Sequence, residues 1–197
     1  MRLFPDKSAL AGMSWRALLA AAGALALVLG CRPASAAEAL TESRIKAAYI
    51  FNFIKFVQWP EPSPATPQGP LMLCVAAKDG LRGALAAIEG KQVQGRELRV
   101  KWGVKPDEVK ACQILFVPDG EARGVAELLR AVGTLPVLTI GEPDGFAAAG
   151  GGIGFVDRDE RVQFEINPAA MERANLQVSS QLLRLATIVG DARRSRP

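Results

Sequence analysis

The chain has 197 residues, which suits one domain of ordinary size, and it contains no histidine. The absence of histidine removes Ser-His-Asp and Cys-His catalytic arrangements and the commonest metal ligand, so we expect no enzyme, no metal and no cofactor. The net charge is only +4, and no cluster of Lys and Arg accompanies the aromatic residues, which argues against nucleic acid as a partner.

Residues 1–36 are predicted to be a signal peptide. Positive charges precede an apolar run over 17–30 that is too short to cross a bilayer, and small residues at 34–36 suit cleavage before Ala37. This predicts export to the periplasm, with no transmembrane span in the mature chain. Removal of the leader lowers the net charge from +4 to +1, so the basic character lies largely in the leader.

An alternative reading of the leader concerns Cys31. The sequence "VLGC" loosely fits a lipobox, which would make Cys31 the lipidated first residue of a lipoprotein. Both readings predict an exported protein, but only the second predicts a lipid anchor.

The first element past the leader is predicted to be a helix from Thr41 to Val57, with Thr41 as its cap and Pro60 closing the segment. Residues 49–60, here called the aromatic segment, read "YIFNFIKFVQWP" and hold five of the twelve aromatic residues in the chain.

The aromatic segment carries one narrow polar stripe. Asn52, Lys55 and Gln58 recur at a spacing of three, while the remaining surface of the helix is apolar. Such a helix requires burial over most of its circumference. Two interpretations stay open: packing in the core alone, or packing in the core on one side and against a protein partner on another.

The rest of the chain alternates between strands and helices. A proline-rich loop over 60–70 precedes the series, which comprises strands over 71–77, 96–103, 114–120 and 136–142, with helices over 79–90 and 121–133. Strand and helix in series imply parallel pairing and an α/β three-layer sandwich with a mostly parallel sheet.

The end of the chain departs from this alternation. Strands over 151–157 and 161–167 are separated by three residues and are expected to form an antiparallel hairpin. A long helix is predicted from Pro168 toward Val189, packed beside the first helix on one face of the sheet. Residues 191–197 are predicted to be a disordered basic tail, which leaves 37–190 as one domain.

The glycines in "AAAGGGIGFVD" (147–157) alternate like a nucleotide-binding fingerprint. They lead into a strand rather than opening a helix, and Asp157 stands where the last glycine is required. A structural turn is therefore the favoured interpretation. Ser179 and Ser180, in a chain without histidine, are interpreted as small residues that allow close helix packing, or as part of a pocket.

Cys74 and Cys112 are the only cysteines that remain once the leader is removed. In an exported chain an even pair predicts a disulfide, and the alternative is two unpaired buried thiols.

Three stretches together resemble the YfiR/HmsC-like family of periplasmic proteins. They read "KAAYIFNFIKFVQWP" (46–60), "LTIGEPDGFAAAGGGIGFV" (138–156) and "VQFEINPAAMERANLQVSSQLLRLA" (162–186, here called the closing segment). The resemblance implies an α/β fold and a regulator that binds the periplasmic region of an inner-membrane diguanylate cyclase. By holding the cyclase inactive, such a protein lowers cyclic-di-GMP and restrains biofilm formation.

The resemblance also suggests which residues bind a partner or form the family motifs. Cys74 and Cys112 match the family's bridge. The candidate motif residues are Phe51, Asn52, Phe53, Lys55, Phe56, Trp59 and Pro60 in the aromatic segment, and Glu165, Asn167, Ser179, Ser180 and Leu182 in the closing segment.

The protein is also expected to form a homodimer. A competing function is that of a small-ligand sensor or carrier. That second function would place a pocket at the carboxyl ends of the parallel strands.

Overall fold

A computed structural model describes residues 34–60, 69–78, 81–159 and 161–190, with the side chains of 34–37 left aside. The chain divides into a unit up to Ala39 and a unit from Leu40 onward, and the architecture given below is that of the second. Most of the predicted signal peptide with Cys31, most of the proline-rich loop and the predicted tail lie outside the described residues.

Helices and strands alternate along the described chain. The α-helices are α1 (Ala34–Phe56), α2 (Arg82–Ala86), α3 (Val125–Val132), α4 (Pro168–Arg173) and α5 (Ser180–Leu185). The strands are β1 (Val57–Gln58), β2 (Leu71–Val75), β3 (Gln92–Val93), β4 (Arg96–Trp102), β5 (Ile114–Val117), β6 (Leu138–Gly141), β7 (Ile153–Arg158), β8 (Arg161–Ile166), β9 (Gln177–Val178) and β10 (Thr187–Ile188). Two 3₁₀ helices, Pro106–Ala111 and Asp119–Gly124, flank β5.

Eight strands form the main sheet in the order β10-β8-β7-β6-β5-β2-β4-β3. The pairs β4–β2, β2–β5, β5–β6 and β6–β7 are parallel, whereas β7 and β8 form the predicted antiparallel hairpin. Helices cover both sides, so the predicted three-layer α/β sandwich is confirmed. Strands β1 and β9 form a separate two-stranded sheet.

Alternate residues of the central strands divide the core between the two faces of the sheet. Leu71, Leu73 and Val75 of β2 point to a first face, where they join a cluster that includes residues of α1. Met72 and Cys74 point to the second face, where they join a cluster with residues of α3. Because β2, β5 and β6 are buried on both faces, they read as continuous apolar runs.

The prediction of one long final helix is wrong. Helix α4 ends at Arg173, Asn175 adopts a left-handed conformation with φ 52°, and β9 pairs with β1 before α5 begins at Ser180. The helical spacing of apolar residues in this segment arises from two short helices that bury Met171 and Leu182 in the same core.

Two smaller expectations also need correction. Thr41 does not cap α1, which begins at Ala34. The helix predicted over 121–133 is preceded by a 3₁₀ helix, so that only Val125–Val132 is α-helical, and it ends at Gly133 as expected. In both cases periodicity located the element, but the capping residues did not fix its start.

Candidate partner-binding site

The inward side of the aromatic segment forms a cluster of four rings on the first face of the sheet. Phe53 is fully buried, and its ring centroid lies 4.8 Å from that of Phe164 and 5.8 Å from that of Phe155. The half-buried Tyr49 stacks on Phe53 at 5.8 Å and contacts Phe164 at 5.5 Å. Such ring pairs stabilise a core beyond their area burial, so α1 is fixed against β7 and β8.

The ammonium groups of two lysines lie over the Phe51 ring. The Lys55 ammonium is 4.5 Å from the ring centroid, and the Lys91 ammonium is 5.4 Å from it. Phe51 is half-buried and packs against the first-face core. Its exposed side is therefore electropositive, because cations lie over the ring.

The outward side of the aromatic segment is exposed to solvent. The predicted polar stripe of Asn52, Lys55 and Gln58 is exposed, and Gln58 lies on β1 just past the helix. Phe56 is 36% exposed, whereas Ile54 and Val57 beside it in the segment are fully buried. Pro60 is also exposed.

The carboxyl end of α1 is capped by a residue that sequence reasoning missed. Gln94, in the turn between β3 and β4, donates its side-chain amide to the carbonyl oxygens of Ile54 at 3.1 Å and Val57 at 2.8 Å. Helix ends leave such carbonyls without intrahelical partners, so the amide stabilises this end. The contact joins residues forty positions apart, and no local pattern indicates it.

Trp59 is also tied to the sheet. Its indole Nε1 donates to the carbonyl oxygen of Gln113 at 3.2 Å, and the Gln113 side chain accepts from the Met72 amide at 2.8 Å. The half-buried ring thus anchors the chain just before the proline-rich loop, beside the starts of β2 and β5.

The closing segment meets the aromatic segment directly. Strand β9 pairs with β1 through Val57 with Val178 and Gln58 with Gln177, and the Ser179 amide donates to the Phe56 carbonyl at 2.9 Å. Two of the three stretches that carry the family resemblance are thereby brought together on one surface.

Ser179 is the cap of a helix, a role that was not predicted. Its Oγ accepts from the amides of Gln181 at 3.2 Å and Leu182 at 3.5 Å, at the start of α5. Serine followed by an apolar helical run is a capping signal that could have been recognised in the sequence. Ser180 is exposed on the first turn of α5, and the buried Leu182 holds that helix to the core.

Asn167 fastens the glycine-rich turn to the end of the sheet. It is fully buried, its side-chain amide donates to the Ala147 carbonyl at 2.8 Å, and its side-chain oxygen accepts from the Ala170 amide at 3.1 Å. Its role is therefore structural: it caps α4 and pins 147–152. Glu165 forms an ion pair with Arg158 at 2.8 Å along the same hairpin.

The favoured turn interpretation of the glycines agrees with their packing. The buried Phe146 ring lies so close to Gly141 and Gly151 that a Cβ at either position would overlap it. A Cβ at Gly152 would lie 3.0 Å from Met171 Cε and from the Thr139 carbonyl oxygen. These glycines make room for protein side chains.

A bridge joins Cys74 and Cys112 with a Cα–Cα distance of 5.8 Å, which confirms the predicted disulfide. Both cysteines are buried on the second face of the sheet. The buried rings of the aromatic segment pack on the opposite, first face, but Trp59 bonds to Gln113, the residue next to Cys112.

A buried cation on α1 was not predicted as a site. The side chain of Lys46 is 11% exposed and forms ion pairs with Glu42 and, at 3.0 Å, with Glu142 just after β6. Burial alone would lower the pKa of Lys46, but the hydrogen bonds to the two carboxylates outweigh it and raise that pKa above its ordinary value. The pair joins α1 to the carboxyl end of β6.

Among the residues that the structure describes, no group of three or more acidic or Cys side chains is arranged to hold a metal ion. Within the same residues, no helix has the length and apolar character needed to cross a membrane.

Comparisons with known proteins found a family match and a similar solved structure. The family model described as YfiR/HmsC-like matches residues 43–187, about three quarters of the chain. A solved structure, a conserved domain protein from Vibrio cholerae O1 biovar El Tor strain N16961, is similar at 11% identity with a TM-score of 0.46. The match covers 72% of this chain and 59% of that one. Because the family model spans both the aromatic and the closing segments, the chain belongs to the YfiR/HmsC-like family.

Proposed function

We propose that this protein is a periplasmic binding protein that inhibits an inner-membrane diguanylate cyclase and so lowers cyclic-di-GMP and biofilm formation. The YfiR/HmsC-like family is known for periplasmic regulation of diguanylate cyclases. The protein acts by binding and not by catalysis. The chain lacks histidine, and the polar motif residues Asn167 and Ser179 have structural roles as helix caps.

The observation that carries the proposal is the partly exposed Phe56, which lies where the aromatic segment meets the closing segment. Phe56 is 36% exposed, its carbonyl is held by the Ser179 amide, and exposed Lys55 and Gln58 lie on either side of it in the chain. Aromatic residues framed by polar groups are typical anchors of protein interfaces. We therefore place the cyclase-binding surface around Phe56 and β9.

The test combines binding and signalling. The periplasmic region of an inner-membrane diguanylate cyclase from the same organism is co-purified with the mature protein and with Phe56→Ala. Cellular cyclic-di-GMP is measured in a deletion strain carrying each form. Phe56→Ala is expected to lose the complex and raise cyclic-di-GMP while the melting temperature is kept. Retained complex and repression with Phe56→Ala would overturn this placement. Light scattering on the same samples measures the molar mass of the protein and so tests the predicted homodimer.

A second candidate function, a small-ligand sensor or carrier, is favoured by one cavity. It has a volume of about 430 Å³ beside the carboxyl ends of β5 and β6, and its lining includes Asp119, Arg123 and Asp144. Ligands of open α/β sheets bind at such strand ends, and the volume lies in the usual range. Co-purification of a small molecule without any cyclase dependence would favour this function over inhibition.

Export through the signal peptide is part of the proposal, with the mature chain starting at Ala37. Mass spectrometry of the protein from the periplasm reads its first residue. Labelling with a radioactive fatty acid tests the alternative, since incorporation that vanishes in Cys31→Ser would identify a lipoprotein anchored at that residue.

A further inference from the structure

A second cavity lies between the ends of α3 and α4, away from the aromatic segment. Its volume is about 490 Å³, within the range of small-molecule sites. It is lined by Leu129, Arg130, Val132, Gly133, Thr134, Val137, Thr139, Ala149, Gly150, Ala170, Arg173 and Ala174.

The cavity has an apolar floor and a polar rim. Val132, Val137 and Ala174 are buried at its base, whereas Arg130 and Thr134 are exposed at its mouth. A ligand that enters would therefore place an apolar body inside and a polar group near the rim.

Two arginines give this cavity its charge. Arg130 lies in the last turn of α3 and Arg173 in the last turn of α4, and neither Asp nor Glu is among the residues that line the described cavity. Backbone contacts hold both guanidinium groups: Arg130 Nε donates to the Ala126 carbonyl at 3.1 Å, and Arg173 Nη2 donates to the Gly150 carbonyl at 3.3 Å. Planar guanidinium groups bind carboxylates and phosphates through paired hydrogen bonds.

An arginine in the last turn of a helix also has an ordinary explanation, because it complements the partial negative charge there. That explanation accounts for each arginine separately. It does not explain why two helices end at the same cavity, or why the charged residues that line this cavity are all positive. Arg184, in the last turn of α5, shows the ordinary case, since it is exposed and does not line the cavity.

We propose that this cavity binds a small amphiphilic anion, a carboxylate or phosphate group joined to an apolar body. The anionic group is held by Arg130 and Arg173, and the apolar body packs against Leu129, Val132 and Val137. The proposal is independent of the cyclase-inhibitor function. If both hold, the ligand is a signal that the protein reads in addition to its protein partner.

Isothermal titration calorimetry on the purified mature protein tests the proposal with three probes: hexanoate, hexyl phosphate and the neutral hexanamide. We expect the anions to bind at least tenfold more tightly than hexanamide, and the tighter of the two identifies the preferred head group. Equal binding of all three, or binding of none at millimolar concentration, would overturn the proposal.

Variants separate ligand binding from the ordinary helix-end role. Arg130→Gln and Arg173→Gln are each expected to weaken the preferred anion at least tenfold, and Thr134→Trp is expected to block the mouth at an exposed position. Arg184→Gln is the matched control and should leave binding unchanged. If the first two variants shift the melting temperature as Arg184→Gln does while anion binding is kept, the arginines only stabilise helix ends and the proposal fails. These titrations contain no cyclase, so their outcome does not depend on whether the protein inhibits one.

Discussion

The side-chain amide of Gln94 donates to the carbonyl oxygen of Ile54 at 3.1 Å and so closes the last turn of α1 from a distant turn of the chain. The backbone of Gln94 is left-handed, with φ 52°. Residues other than glycine, asparagine and aspartate seldom adopt this conformation. The contact fixes where the helix stops and where Phe56 is presented.

Replacement of Gln94 by Asn should isolate this cap. Asparagine tolerates a positive φ better than glutamine, but its shorter side chain cannot reach the carbonyls, so unfolding free energy should fall by about 1 kcal/mol. Chemical denaturation measures the change. An Asn variant as stable as the wild type would show that water satisfies these carbonyls equally well.

Truncating an inward ring and an outward ring of the aromatic segment should give opposite results. Phe53→Ala removes a fully buried ring that contacts three others and should cost about 3–5 kcal/mol. Phe56→Ala, at a partly exposed position, should change stability by at most about 0.5 kcal/mol while raising cyclic-di-GMP. If cyclic-di-GMP rises only in proportion to lost stability across both variants, the segment is core alone.

Removal of the disulfide should destabilise the protein. The bridge closes a loop between positions 38 apart in the sequence, and the double variant Cys74→Ala with Cys112→Ala should lose about 2–4 kcal/mol. Guanidinium denaturation of oxidised and reduced wild type provides the control. Free alkylation of both thiols in native protein from the periplasm would contradict the bridge itself.

A methyl group at Gly151 should be far more damaging than one at Gly120. The new Cβ at Gly151 would overlap the buried Phe146 ring, whereas a Cβ at Gly120 meets nothing within 4 Å. We expect Gly151→Ala to cost about 1–3 kcal/mol through overpacking and Gly120→Ala to be neutral or slightly stabilising. Thermal melting compares the two, and equal melting temperatures would show that the turn shifts freely.

Replacing Lys46 with a neutral residue should destabilise the protein more at neutral pH than at alkaline pH. Because its folded pKa is raised above the ordinary 10.5, the ion pairs stabilise the protein below that pH and are lost as the pH rises through the folded pKa. Lys46→Met should therefore cost about 1–3 kcal/mol at pH 7, and the gap to wild type should narrow above pH 10.5. The exposed Lys110→Met serves as control, and a gap constant with pH would exclude the ion pairs as its cause.

Local patterns in the sequence predicted most of the architecture. The apolar runs at β2, β5 and β6 and the short connection between β7 and β8 indicated the parallel sheet and its hairpin, because each signal lies within a few residues. The end of the chain was harder: Val178 and Leu182 have helical spacing, but Val178 lies in β9, which pairs with a strand at the other end of the domain. Tertiary pairing overrode local propensity there.

The contacts that build the candidate site were less accessible. Gln94 with Val57, Trp59 with Gln113 and Lys46 with Glu142 each join residues distant in sequence, and nothing near either partner indicates them. The caps at Asn167 and Ser179 could have been found, since each precedes a helix with a typical capping side chain.

The pairing of β1 with β9 has a consequence for how the protein is made. Its partners lie about 120 residues apart, so the ribbon cannot form until nearly the whole chain has been delivered, and contacts of such long range form slowly. A chain that is incomplete or shortened before Gln177 lacks the ribbon that holds Phe56. If the surface around Phe56 is the inhibitory one, truncated chains cannot silence a cyclase, and only finished molecules carry the signal.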